Sequence, residues 1–493
     1  MIKSLRKYNI LLLFLLCGFF SCRKMDELNI NPNSPTTVNP DYLFTQSLVK
    51  GMGSYTANVN LNYWVVSHWV MNFATLKGDP AGREYESNSG KDLWWKETYS
   101  QALINAREVI RLTQDNPNLV NKTAMARIWE VFLFHQLSDL WGAVPHSEAL
   151  KGMEALNYYP AYDKQSMIYS SLIAQLKDAA AQLDDTKPVF NGAADPIYSG
   201  SVSNWKAFAN SLRLRLALRL RFVNPALCQQ TLQDLQSTSL ISNNSQTAAF
   251  HYNSTFRNPL YELIVIRKEA GSKVYPSKFL IDKLMSTNDP RLKLIAAPTL
   301  ESQVFGFDDY AGVPNLVPSE NTTVWQNYHA NGDNISNIGS WYLREDAPGV
   351  LVSYAEVCFI KAEATLAGYW TGTAQQYYAD GVQAALQSYG SLTATEVSTY
   401  MNTLPAVTQE NIITQKWLSY TYQNIFETYS EYRRTGYPAL KNYDGTPIDQ
   451  SVFPNRLTYP FTEQSLNTSH CTEAQQLNGG ADVPGLKVWW DLN

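Results

Sequence analysis

The chain has 493 residues with 39 basic and 44 acidic side chains, a formal charge of −5. Residues 1–21 hold Lys3, Arg6 and Lys7 and no acid, so the remaining 472 residues carry 36 basic against 44 acidic groups, a formal −8. That sign argues against nucleic acid or an anionic lipid surface as partner, because both need a basic footprint.

Taken in chain order, Lys3, Arg6 and Lys7 form a basic start, and Ile10 to Phe20 form an apolar run of 11 residues that ends at Ser21-Cys22. A transmembrane helix needs roughly 20 apolar residues, so residues 1–21 read as a signal peptide. Cys22 is then the residue that signal peptidase II leaves as a lipidated N-terminus; an ordinary secretory signal with an incidental Cys is the plainer alternative. Residues 22–40 are rich in Asn, Pro, Ser and Thr, with Asn29, Asn31, Pro32, Asn33 and Pro35, and read as a non-helical tether. Residues 41–493 contain no low-complexity tract, charge block or Pro-rich spacer, which favours a single large domain. Beyond Cys22 only Cys228, Cys358 and Cys471 remain, so disulfides are not the scaffold and at most one pair can form.

The frame reads as helical over about 97–223 and 350–440. Glu97 to Leu112 places Tyr99, Ala102, Leu103, Ala106, Val109 and Ile110 on one stripe, and Thr123 to Asp139 repeats the pattern with Ala124, Ile128, Val131, Phe132 and His135. Asp163 is expected to cap a helix carrying Ile168, Leu172, Leu176 and Ala179, and Ser203 to cap its partner with Trp205, Phe208, Leu212 and Leu216. Val350 to Ala367 and Ala374 to Tyr389 make a third pair, and Asn411 to Arg434 supplies one long helix. Pairs in which neither helix covers its own stripe are what tetratricopeptide-like hairpins require. Residues 240–350 differ: rich in Asn, Gly, Pro and aromatics such as Phe305, Phe307, Trp325, Tyr328 and Trp341, they read as an irregular insertion on a rigid frame, where binding surfaces usually lie.

Five separated segments together resemble the SusD/RagB family of nutrient-binding outer-membrane lipoproteins, in its subgroup with an Asn-Pro-Asn start. They are Asp26–Val38 (DELNINPNSPTTV), Ala126–Leu150, Val350–Ala364, Gln415–Leu440 through YRRTGYPAL, and the end, Arg456-Leu-Thr-Tyr-Pro with Glu463, Gly479-Gly480-Ala481-Asp482 and Lys487-Val-Trp-Trp-Asp491. The resemblance implies a mainly α fold of four tetratricopeptide-like helix pairs with a loop-rich ligand-binding lobe. It also implies a lipid-anchored protein at the outward face of the outer membrane. There it would capture oligosaccharides or peptides for a SusC-like TonB-dependent transporter, without catalysis or cofactor.

Individual motifs favour plain readings. Asp139, Gly142, Pro145 and Glu148 follow a helix end and read as a turn rather than an acid–base pair. Arg213, Arg215, Arg219 and Arg221 are expected to pair with acids such as Glu356 and Glu363, and Trp94-Trp95 and Trp489-Trp490 to be packing. For ligand contact the candidates are Trp64, Trp69 and Phe73 and, in the insertion, Trp325, Tyr328 and Trp341, whose flat faces suit a pyranose or a peptide side chain. Asp308-Asp309 and Asn331-Gly-Asp333-Asn334 read as turns before Ca²⁺ loops. The six His show no metal spacing, and there is no HExxH, GxSxG elbow or phosphate loop. A lipid-anchored glycoside hydrolase with two carboxylates brought together by folding is the rival reading; a scaffold that binds only proteins is a third.

Overall fold

Asn39 opens the first helix, α1 (Pro40–Gly51), by accepting a hydrogen bond from Asp41 N (2.9 Å), with Pro40 at the first helical position, where its missing N–H costs nothing. The computed structural model describes residues 38–76, 88–268, 274–317 and 321–492, without the side chains of Met153 and Glu154. The signal peptide, Cys22 and nearly all of the tether expected from the sequence lie outside these residues. Among the described residues no helix is long and apolar enough to cross a membrane.

A composite helix, α2, covers 88–113: α-helical Asn88–Glu97 and Ile104–Thr113 flank π-helical Thr98–Leu103. The wider turn is held from outside, since Ser47 Oγ on α1 donates to Ala102 O (2.7 Å). α3 (Val120–Trp141) is buried on nearly every side. Close approach of α1 to it depends on Gly51, where a Cβ would fall 2.4 Å from Trp129 Cζ2. α2 packs on α3, α4 (Gln165–Gln182) on α5 (Val202–Arg219), α6 (Tyr354–Leu366) on α7 (Ala374–Gln387), and α8 (Gln409–Ser419) on α9 (Ile425–Thr435). These are the four helix pairs, and the fold is mainly helical as the sequence predicts.

Four local expectations are corrected. Asp163 does not cap α4; its Oδ2 accepts from His146 N (3.1 Å) and Ser147 N (2.7 Å), because the loop after α3 folds back to meet it. Ser201, not Ser203, caps α5, accepting from Asn204 N. The third pair begins with a strand: Gly349–Val352 pairs before Ser353 caps α6 through Glu356 N (3.0 Å). The long helix over 411–434 is two helices, because Tyr422 takes a left-handed φ of 61° and Asn424 starts α9 by accepting from Glu427 N.

That break aims α9 at the arginines of α5. Arg215 makes a bidentate pair with Glu356 (2.8 and 2.6 Å), Arg219 binds Glu427 (2.6 Å) and Glu431 (2.7 Å), and Arg221 reaches Glu363 (3.0 Å). Lys416 on α8 bridges Glu356 and Glu427 (2.8 Å each), and Arg434 binds both oxygens of Glu363 (2.7 Å) and Glu431 (2.8 Å). Glu356 and Glu363 are thus the partners that the sequence proposes. Burial alone would raise the carboxyls of Glu427 and Glu431; the surrounding cations outweigh it, holding Glu427 well below the usual range and Glu431 near about 2. Around this network the main hydrophobic core runs from Phe44 to Trp490. Cys228, Cys358 and Cys471 are buried free thiols.

Candidate functional site

Two antiparallel strands join the insertion to the frame. β-strand Ala248–Phe250 pairs with Gly349–Val352, setting Ala249 opposite Val350. Beside this ribbon, chain from 244–251, 341–355, the end of α7 and the α8–α9 turn converges on an open cleft of about 260 Å³. Its wall carries Trp341, His251, Asn244, Ser353, Ser388 and Gln423.

Trp341 is fixed from three sides. Its Nε1 donates to Tyr389 O (3.0 Å), its ring meets Tyr342 and Tyr389 edge-on (centroids 4.8 Å each), and the Arg344 guanidinium lies 4.8 Å from its centroid. Such anchoring keeps a half-buried ring in one orientation, so a ligand stacking on it orders little. Asn244 is anchored to Ala384 O (2.9 Å), and the hydroxyls of Ser353 and Ser388 are used in capping α6 and in bonding Ala385 O. His251 is exposed and Gln423 half-buried at the wall, offering an imidazole and an amide to hydroxyl groups of a ligand. No carboxylate lines this cleft.

The other sequence candidates fall in different places. Trp69 and Phe73 are 0% exposed: Trp69 tilts against Tyr429 and Phe73 stacks on Tyr422 at 4.3 Å, so both are core and present no face to a ligand. Their flat aromatic faces mark them as ligand platforms in the sequence, whereas the short helix carrying Trp69 packs against α9 and Phe73 stacks on Tyr422 just ahead of it. Trp64 is half-buried against the same core. Trp325 is 4% exposed and sits in a separate small core with Ala74, Tyr275, Val313, Val317 and Ile335. Tyr328 packs edge-on to it (6.0 Å) at the half-buried margin. The structure therefore joins Trp325 with Tyr328, keeps Trp341 apart at the cleft, and separates all three from Trp69.

Framework readings of other motifs agree with the geometry, except that Asp139 does not fix the turn: it lies inside α3 and its carboxylate is buried among side chains. Trp94 and Trp95 are buried, Trp490 Nε1 donates to Asp139 Oδ1 (3.0 Å), and Tyr169 O–H also donates to Asp139. Glu148 accepts from Ala161 N (3.1 Å) and Asn157 Nδ2 (3.0 Å), holding the turn after α3. The sequence does not single out His251 or Gln423; the available signal for His251 is a polar residue flanked by Phe250 and Tyr252 directly beyond the apolar strand Ala248–Phe250.

No curated protein matches the sequence. Among solved structures, one described as a chitin-binding protein superposes with a TM-score of 0.81 at 28% identity, covering 92% of this chain and 100% of that one. A chitin-binding SusD homologue from Flavobacterium johnsoniae gives 0.76 at 22% identity over 92% and 98% of the two chains. A SusD homologue from Bacteroides uniformis gives 0.76 at 23% over 93% and 100%. Residues 32–460 match the SusD-like family described as "Starch-binding associating with outer membrane", and the chain belongs to that family.

Proposed function

We propose that the protein is a non-catalytic, lipid-anchored receptor that captures oligosaccharides at the outward face of the outer membrane and passes them to a TonB-dependent transporter. The observation that carries the binding part is the cleft at Trp341: a fixed aromatic ring, with an imidazole and an amide on the same wall and no carboxylate pair to cleave a glycosidic bond. Similarity to a chitin-binding protein over nearly the whole chain supports a glycan in preference to a peptide. Tyr328, with Trp325 behind it, and the half-buried Trp64 are further aromatic contacts in this reading. Cys22 carries the acyl chains.

The test is calorimetric titration of the mature domain with chito- and malto-oligosaccharides, together with an assay for released reducing ends. Saturable binding without new reducing ends is the expected result. Turnover of any glycan would replace the receptor with the hydrolase reading, and binding of peptides alone would replace the ligand class. Incorporation of labelled palmitate by the wild type and not by Cys22→Ala checks the anchor, and co-purification with a SusC-like transporter checks the partner.

A further inference from the structure

Folding of the insertion brings together three metal-ligating side chains that sequence spacing keeps apart. Glu301 lies in the one-turn helix Leu300–Val304, whereas His329 and Asp333 belong to a turn 28 residues later. One ligand atom from each lies within 4.8 Å of the other two. His329 Nδ1 and Asp333 Oδ1 are 2.5 Å apart. A tetrahedral ion with bonds of about 2.1 Å needs neighbouring ligand atoms about 3.4 Å apart, so an ion entering here replaces the direct His329–Asp333 hydrogen bond and parts those two atoms by about 1 Å.

The surroundings orient these groups. Asn331 Nδ2 donates to Asp333 Oδ2 (2.8 Å), leaving the other carboxylate oxygen toward His329. His329 N donates to Asn334 Oδ1 (2.9 Å) and Gly332 N to His329 O (2.9 Å), which fixes the turn, and Glu301 N donates to Asp333 O (3.0 Å), which locks the two segments together. Outer hydrogen bonds of this kind hold ligands in place around protein-bound metals. The donor set also selects the metal. Ca²⁺ takes six or more oxygens, whereas one imidazole with two carboxylates suits a borderline ion such as Zn²⁺, with the fourth position open to water. All three side chains are at least partly exposed, so an ion has a direct entry path.

We infer that Glu301, His329 and Asp333 form a divalent transition-metal site on the insertion. It clasps the segment bearing exposed Phe305 and Phe307 to the turn that follows Tyr328, and it is independent of the glycan reading.

Titration of the metal-free protein with ZnCl₂ by calorimetry, with CaCl₂ as comparison, tests it. One equivalent of Zn²⁺ with a micromolar Kd is expected, weakened at least 30-fold in both His329→Ala and Glu301→Gln and unchanged in His470→Ala, whose exposed His–Glu pair is the competing surface site. The melting temperature should rise with Zn²⁺ in the wild type and not in His329→Ala, while the two metal-free proteins melt alike. No uptake at 1 mM Zn²⁺ (about a thousandfold above the expected Kd), equal uptake by His329→Ala, or loss only in His470→Ala would each overturn the inference.

Discussion

The helical frame and the insertion use the same residue types in different proportions, buried and shared in the first, more often solvated in the second. In the frame, Arg215, Arg219, Arg434 and Lys416 are almost wholly buried and share Glu356, Glu363, Glu427 and Glu431. In the insertion, Arg291 with Asp289 is also buried and bonds Gln415 of α8, but Lys278–Asp282 and Arg344–Asp346 stand in water as single pairs. Aromatics divide less cleanly: Trp129, Trp141, Trp205 and Trp490 fill the frame, while in the insertion Trp325 and Tyr275 are buried in a small core and Phe305, Phe307 and Tyr328 lie at the margin. Charge costs most to disturb where water cannot replace a lost partner. The shared network of the frame therefore carries more of the stability than the solvated pairs of the insertion do.

The sharpest way to break this contrast is Arg434→Met, which strips a cation from Glu363 and Glu431. We expect a loss of about 3–5 kcal/mol in urea unfolding; a loss below about 1 kcal/mol, the value of a solvated pair, would erase the distinction. Acid gives the next largest effect. Glu427 and Glu431 titrate lower in the folded than in the unfolded chain, so the unfolded chain takes up protons first. Stability should thus fall as pH drops from about 4.5 toward 2. His135 and His146, pushed below 6.5 by burial, add a shallower loss of the same sign that begins near pH 6.5. A melting temperature that stays flat from pH 7 to 3 would contradict both.

Smaller changes sharpen the other side. Gln423→Ala should lower glycan affinity about fivefold, the worth of one hydrogen bond at about 1 kcal/mol, with stability changed by less than about 0.5 kcal/mol. Calorimetry and melting of the same variant separate the two. Least of all, Lys278→Ala, which removes an exposed i,i+4 pair with Asp282, should cost under about 0.5 kcal/mol, measured by urea unfolding beside Arg434→Met.

The helix pairs were legible because each buries a stripe with a regular period, and Ala or aromatic residues at 3.6 spacing mark it whichever partner covers it. Glu356 and Glu363 were legible as partners because arginines crowded between 213 and 221 demand acids. The split at Tyr420–Asn424 was not, since it contains neither Gly nor Pro and Tyr422 takes a left-handed conformation that its residue type does not announce. At the site, Trp341 stood out as an aromatic, but the cleft around it is assembled from segments separated by up to about 180 residues. Trp69 and Phe73 failed as surface candidates for the converse reason: pattern identifies an aromatic side chain, and only tertiary packing decides whether it faces water.

Both ends of the described chain settle on one interior helix. α1 rests through Gly51 against Trp129, and Trp490 near the other terminus bonds Asp139, twelve and two residues from the end of α3 at Trp141. In the anchored protein we propose, a pull at Pro40 is taken first by α1 and by α2, on which α1 packs, and reaches α3 only at Gly51. The load is thereby spread over two helices before it meets the helix whose other end is tied to Trp490.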